Sequence, residues 1–154
     1  MQTEATLEEL VSQLDSSSVA FGTDNPVNAE LGPALEDALA EANLDPAGMI
    51  VLEQTPPVIA DLRDLAQDAA AETGLDTVLV RTPQVAVGVS DSLNRAQVER
   101  GERAMAAEPD YVAGVHAFAD AANLFSVNWP LVVAAVLVVL AAVAAAAAFS
   151  ARRR

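Results

Sequence analysis

Residues 48–80 read GMIVLEQTPPVIADLRDLAQDAAAETGLDTVLV. The apolar run at 49–52 is typical of a strand that is buried on both faces. A helix is predicted next, because apolar residues follow helical spacing at Val58, Leu62, Leu65 and Ala69. Thr55 is expected to cap this helix, Pro56 and Pro57 to form its first turn, and Gly74 to end it. A second apolar run at 77–81 predicts another strand. The segment is therefore a strand, a crossing helix and a strand, the unit from which parallel sheets are built.

The sequence on either side of this unit extends the sheet and covers it with helices. A turn at Thr82-Pro83 leads into a third strand at 84–90, and residues 21–26 are predicted to form a loop. Two helices are predicted before the unit, one at 6–15 and one that begins at Asn28 or Pro33 and ends at Ala42, and two after it, at 93–107 and 110–124. The expected fold is α/β with α+β character. It has a small mixed sheet of three to four strands covered by helices, followed by one C-terminal transmembrane helix.

The C-terminal region has the composition of a membrane span. Residues 129–149 are almost all Val, Leu or Ala, and at about 1.5 Å per residue they cover roughly 30 Å, the thickness of a hydrocarbon core. Trp129 and Pro130 suit the interface and the first helical turn, and Arg152, Arg153 and Arg154 can anchor the other end. We expect a soluble domain at 1–125, a transmembrane helix at 126–150 and a basic cytoplasmic tail at 151–154. The Ala-rich half of the span could also admit a partner helix in the membrane.

Charge divides the chain sharply. All 22 Asp and Glu residues lie at or before Asp120, together with five of the eight Arg residues, so this part carries 5 − 22 = −17 and the terminal Arg triplet carries +3. Such an acidic surface repels phosphates, so nucleic acid is an unlikely partner class and a basic protein surface a better one. The Arg triplet favours a cytoplasmic C-terminus and an external domain. The late position of the only apolar segment favours the opposite arrangement.

Few residues point to catalysis. The chain has no Cys, and its single histidine, His116, lies in an apolar helical stretch without a nucleophile motif around it. Asp61 and Asp64 share a stripe of the third helix, and Asp24 lies in a loop that could approach them, so these carboxylates are candidate ligands for a divalent cation. A solvated helix face explains the same stripe. We therefore expect no cofactor and no enzymatic activity.

The two internal arginines at Arg63 and Arg81 have two interpretations. Each can pair with a neighbouring carboxylate, and either could anchor an interface if its side chain is exposed.

Several short motifs resemble one family of small actinobacterial membrane proteins. They are GMIVLEQTPP at 48–57, LRDLA at 62–66, TVLV at 77–80 with the following Pro83, and ERGE at 99–102. The resemblance implies an N-terminal domain with a TPM-like fold and one C-terminal transmembrane helix.

The resemblance also implies a function. Members of that family are linked to NlpC-type peptidoglycan endopeptidases, which separate daughter cells. Their external TPM-like domain activates the hydrolase by binding it. The expected contact is the regulatory coiled-coil region of the hydrolase. Arg63, Asp64, Arg81 and Glu102 are the partner-binding residues we expect from the motifs and from the scarcity of basic residues. The alternatives are a metal-dependent TPM-like phosphatase and a tail-anchored adaptor that faces the cytoplasm.

Overall fold

The computed structural model describes residues 5–44, 46–124 and 129–152, and the side chains of residues 129 and 150–152 lie outside that description. The chain divides into two units, one within Met1–Leu124 and one within Phe125–Arg154.

A four-stranded mixed sheet forms the centre of the first unit. Its strands are β1 (Val19–Phe21), β2 (Ala47–Val51), β3 (Thr77–Arg81) and β4 (Ala86–Ser90), in the order β1-β2-β3-β4. β1 pairs with β2 and β2 with β3 in parallel, whereas β3 and β4 are antiparallel. Every residue of β2 and β3 is buried, as expected for central strands with helices on both faces. The mixed α/β sheet predicted from the sequence is confirmed.

Five helices cover this sheet: α1 (Leu7–Ser16), α2 (Asn28–Glu41), α3 (Ala60–Thr73), α4 (Arg95–Ala107) and α5 (Tyr111–Asn123). Their ends follow local chemistry. Thr6 and Glu9 form a complete capping box before α1, and Gly74 ends α3 in the left-handed conformation at φ 72°. Asn43 has the same conformation after α2, at φ 53°.

The sheet separates two apolar cores. On one face, α1 and α3 pack on the even-numbered residues of β1, β2 and β3, and this core includes Leu10, Leu62, Ala66, Ile50, Val78 and Val80. On the other face, α2, α4 and α5 pack on the odd-numbered residues, and this core includes Leu35, Leu39, Met49, Leu79, Met105 and Phe118.

This arrangement gives the two crossovers opposite hands. The connection from β1 to β2 and the connection from β2 to β3 step across the sheet in the same direction. Their helices, α2 and α3, nevertheless lie on opposite faces. One of the two crossovers is therefore left-handed, although nearly all parallel crossovers are right-handed.

Two details differ from the sequence-based expectation. β1 was missed, because it is only three residues long and residue 21 was assigned to a loop. α3 begins at Ala60, and its N-cap, Ile59, makes no side-chain cap bond. Thr55 does not cap this helix; its hydroxyl contacts the Thr82 hydroxyl at 2.6 Å instead. The two prolines hold the chain extended for longer than predicted, since a residue before proline avoids the helical region.

The second unit contains one helix, α6 (Trp129–Arg152). Its segment Pro130–Phe149 has a mean hydropathy of 2.9 and none of it is buried, so it is long and apolar enough to cross a membrane.

Close packing of α4 on α5 generates a testable prediction. A Cβ added at Gly101 would lie 2.6 Å from two ring carbons of the fully buried Phe118, whereas a Cβ at Gly114 would meet nothing closer than 3.4 Å. We expect Gly101→Ala to lower the free energy of unfolding by about 1–3 kcal/mol through overpacking. Gly114→Ala should change it by less than about 1 kcal/mol, because better helix propensity offsets the new contact.

The measurement is urea unfolding of the full chain in detergent, followed by far-UV circular dichroism. Equal losses of stability in the two variants would contradict this packing.

Candidate functional site: the carboxyl edge of the sheet

Three connections meet where the parallel strands end. They are the loop after β1 (residues 22–27), the loop after β2 (residues 52–59) and the turn between β3 and β4 (residues 82–85). We call this surface the carboxyl edge. α2 and α3 leave this edge toward opposite faces of the sheet, and the carboxyl ends of the strands are where open α/β sheets commonly bind ligands.

A hydrogen bond links the first two of these connections. The Asn25 side-chain amide donates to the Glu53 carboxylate at 2.8 Å, which joins the loop after β1 to the loop after β2. This bond, together with one from the Thr23 side chain, holds the pKa of Glu53 below its ordinary value. The bond also holds the two loops in one arrangement.

The third connection is tied to the second through threonine and glutamine side chains. The Thr55 hydroxyl contacts the Thr82 hydroxyl at 2.6 Å and also reaches the side-chain oxygen of Gln84. The Thr82 hydroxyl in turn accepts the N–H of Val85 at 3.1 Å. Four of the chain's eight prolines, Pro26, Pro56, Pro57 and Pro83, lie in the same three connections and restrict their backbones. The carboxyl edge is consequently stiff before any partner arrives.

The carboxyl edge also exposes apolar side chains. Among described residues before Leu124, the large apolar side chains classed as exposed are Val27, Val58 and Ile59, at 54%, 51% and 43%. All three lie just before the first turn of α2 or α3. Exposed apolar groups that gather on one surface are a common sign of an interaction site.

An open groove of about 960 Å³ adjoins this surface. It lies between α1 and the loop after β1, and it is lined by Glu8, Glu9, Gln13, Phe21 and Asp24, among others. The described residues that line the groove include three carboxylates, Glu8, Glu9 and Asp24, so the groove continues the acidic character of the carboxyl edge.

Side chains bond part of each lateral edge of the sheet. At β1, the Gln13 amide accepts the N–H of Phe21 at 2.9 Å and donates to its carbonyl at 3.1 Å. At β4, the N–H of Gly88 donates to the Glu102 carboxylate at 2.8 Å. These three backbone groups are therefore already bonded, which disfavours strand addition at these points.

Two of the expected partner-binding residues meet at β4. The Arg63 guanidinium on α3 lies 3.1 Å from the same Glu102 oxygen that accepts the Gly88 N–H. The Glu102 side chain is only 13% exposed and that of Arg63 is 44% exposed. The pair joins α3 to α4 across β4, and Asp64 is exposed beside it on α3. These residues have at least a structural role.

Arg81 lies apart from that pair and is buried. Only 2% of the residue is exposed, and its guanidinium donates to the backbone carbonyls of Thr82, of Val85 at 3.2 Å and of Glu108 at 3.2 Å. The Tyr111 ring stacks 4.9 Å from its central carbon. Arg81 thus anchors the α4–α5 connection to the end of β3. Its guanidinium is too buried to anchor an interface with a partner.

The candidate metal ligands are not gathered. Asp24 lies in the loop after β1, and Asp61 and Asp64 are exposed on α3. Within residues 5–44, 46–124 and 129–152, no three His, Asp or Glu side chains come together in a group that could hold a metal ion. His116 is half-exposed, 3.7 Å from Glu41.

The predicted membrane anchors fall at the ends of α6. Pro130 is exposed in its first turn, as expected for an N-terminal helix position. The side chains of Trp129 and Arg152 lie outside the described part of the chain, as do Arg153 and Arg154.

Sequence reasoning missed the carboxyl edge as a site. The loop at 22–27 drew notice only through Asp24, because the strand before it was not identified. Val58 was assigned to the apolar face of the third helix, and Pro56 and Pro57 were assigned to its first turn. The available signal was the combination of proline with exposed apolar residues in two loops that both follow a strand.

Comparison with known proteins gives one match. A family model described as "Membrane protein Rv1476" matches residues 2–154. No curated protein and no solved structure matches the chain.

The Asn25–Glu53 bridge predicts a specific pH dependence. A carboxyl whose folded-state pKa is lowered contributes stability above its unfolded-state pKa, and this stability is lost as the pH falls through the folded-state value. We expect Asn25→Ala to raise the pKa of Glu53 toward its ordinary value. Carbon-13 NMR titration of the Glu side-chain carboxyls in the full chain measures this, with Glu53→Gln identifying the signal. A Glu53 titration that Asn25→Ala leaves unchanged would refute the bridge.

The Glu102 cluster makes a second prediction. Glu102→Ala removes the acceptor of the Gly88 N–H and the partner of Arg63, so it should lower the free energy of unfolding by about 1–3 kcal/mol. Most of this loss should come from the less exposed Gly88 bond, since solvent screens a half-exposed arginine. Asp64→Ala, at an exposed position on α3, should cost less than about 0.5 kcal/mol. Urea unfolding of the full chain compares them, and comparable losses would contradict the assignment.

Proposed function

The chain belongs to the Rv1476 membrane protein family, and from this premise we propose that it is a non-enzymatic regulator that binds and activates a cell-wall peptidoglycan hydrolase during cell separation. The observation that carries the proposal is the architecture of one acidic α/β unit followed by a single apolar helix. The motif resemblance of residues 48–102 is the reason for proposing a peptidoglycan hydrolase as the partner. The same proposal includes a TPM-like fold for the first unit.

A membrane anchor suits a regulator of this kind. Holding the acidic unit at the membrane raises its effective concentration toward a partner in the same envelope, so a modest interface is enough. Activation requires that the regulator bind the active form of the hydrolase more tightly than the inactive form, and the difference in affinity sets the extent of activation. An NlpC-type endopeptidase with a regulatory coiled-coil region offers a segment that such binding could displace.

The proposal places the acidic unit outside the cell and the C-terminus in the cytoplasm. Support comes from the charge distribution, since the terminal Arg triplet follows the positive-inside pattern. It also comes from the location of peptidoglycan, which only an external domain could serve.

The two alternatives receive less support. A metal-dependent phosphatase needs Asp24, Asp61 and Asp64 or a similar set at one point, and no observation on the described residues favours such a set. A cytoplasm-facing adaptor differs from the proposal only in topology, which the experiment below decides.

The test is activation of a purified NlpC-type endopeptidase by the full chain in lipid nanodiscs. We expect the rate of peptidoglycan peptide cleavage to rise by about 5- to 150-fold, the range of typical coupling free energies between two sites. Empty nanodiscs and nanodiscs that carry an unrelated single-pass protein are the controls. An unchanged cleavage rate at saturating regulator would overturn the proposed function.

Topology is checked in intact cells with a membrane-impermeant thiol reagent, since the chain has no native Cys. Ala71→Cys, at an exposed position of α3, should be labelled in intact cells, whereas a Cys added after Arg154 should be labelled only after lysis. The reverse pattern would favour the adaptor.

A further inference from the structure

We propose that the carboxyl edge is the docking surface, and that its occupant is a basic amphipathic helix of the partner hydrolase. This inference rests on the proposed function and deepens it by naming the binding face and the chemistry of the segment bound. It shifts the expected interface from Arg63, Asp64, Arg81 and Glu102 to the loops after β1 and β2.

Apolar exposure is the first argument. Val27, Val58 and Ile59 are the large apolar side chains that the described part of the first unit leaves exposed before Leu124, and they lie in the loops after β1 and β2. An amphipathic helix presents apolar anchors along one face at i, i+3, i+4 and i+7, so one such helix can bury several exposed apolar side chains of a partner.

Charge is the second argument. The exposed carboxylates Asp24, Glu30, Glu53 and Asp61 lie in these two loops or in the first turns of α2 and α3. The first basic residue of the chain is Arg63, so no positive side chain from these loops interrupts the acidic rim. A basic partner helix would be steered to this rim and an acidic one repelled.

Rigidity is the third argument. The Asn25–Glu53 bond, the Thr55–Thr82 contact and the four prolines hold the three connections before binding. Loops that are already ordered lose little conformational entropy when a partner binds, so even a small contact area can give useful affinity.

The first experiment measures binding of the hydrolase's coiled-coil fragment to the full chain in nanodiscs by calorimetry. The test variant, Val58→Arg with Ile59→Arg, removes two apolar contacts and adds two positive charges at the carboxyl edge. The matched control, Gln67→Arg with Ala71→Arg, adds the same charge at exposed positions farther along α3.

We expect the test variant to raise the Kd at least about 10-fold, as loss of a central apolar contact does, and the control to raise it less than about 3-fold. Far-UV circular dichroism confirms that both variants are folded. Equal weakening by the two variants, or none by the test variant, would overturn the docking surface even if the wild-type chain activates the hydrolase.

The second experiment separates this inference from the proposed function. A photoreactive benzophenone residue replaces Val58 or, as the control, Ala71 in the full chain in cells. Adducts of Val58 to a basic helical segment of the hydrolase support both proposals. Adducts to a basic helical segment of a different envelope protein support the surface and refute the hydrolase. Adducts from Ala71 alone, or from neither position, refute the surface.

Discussion

The parallel pairing of β2 with β3 is the constraint on which the rest of the first unit depends. All ten residues of these two strands are buried, so both faces of the pair must be covered. α1 and α3 cover one face, and α2 and α5 cover the other. The crossover helices α2 and α3 lie on opposite faces, so the two crossovers have opposite hands.

That arrangement places the loops that lead into α2 and α3 side by side at the carboxyl edge. The Asn25 side chain donates to Glu53 between these two loops, and the Thr55 hydroxyl contacts the Thr82 hydroxyl of the next connection. Among the described residues of the first unit, the apolar side chains of Val27, Val58 and Ile59 beside these bonds are exposed.

The charged side chains of this protein have two distinct uses. Some stabilise the fold. The buried Arg81 guanidinium donates to three backbone carbonyls, and Glu102 pairs with Arg63 and accepts the N–H of Gly88 in the edge strand β4. Carboxylates at the carboxyl edge are exposed, so they can act on a partner at a distance. A tethered regulator benefits from this division, since its stability and its partner recognition then rest on different residues.

The sequence alone determined the elements with strong local signals. The apolar runs at 49–52 and 77–81, the Thr6–Glu9 capping box, the Gly74 stop and the apolar length of α6 are local patterns that neighbouring residues produce by themselves. Tertiary structure alone decided the three-residue strand β1, the face on which α3 lies, the burial of Arg81 and the meeting of Asn25 with Glu53. These features depend on contacts between residues far apart in the chain, and such contacts leave no periodic pattern in the sequence around either partner.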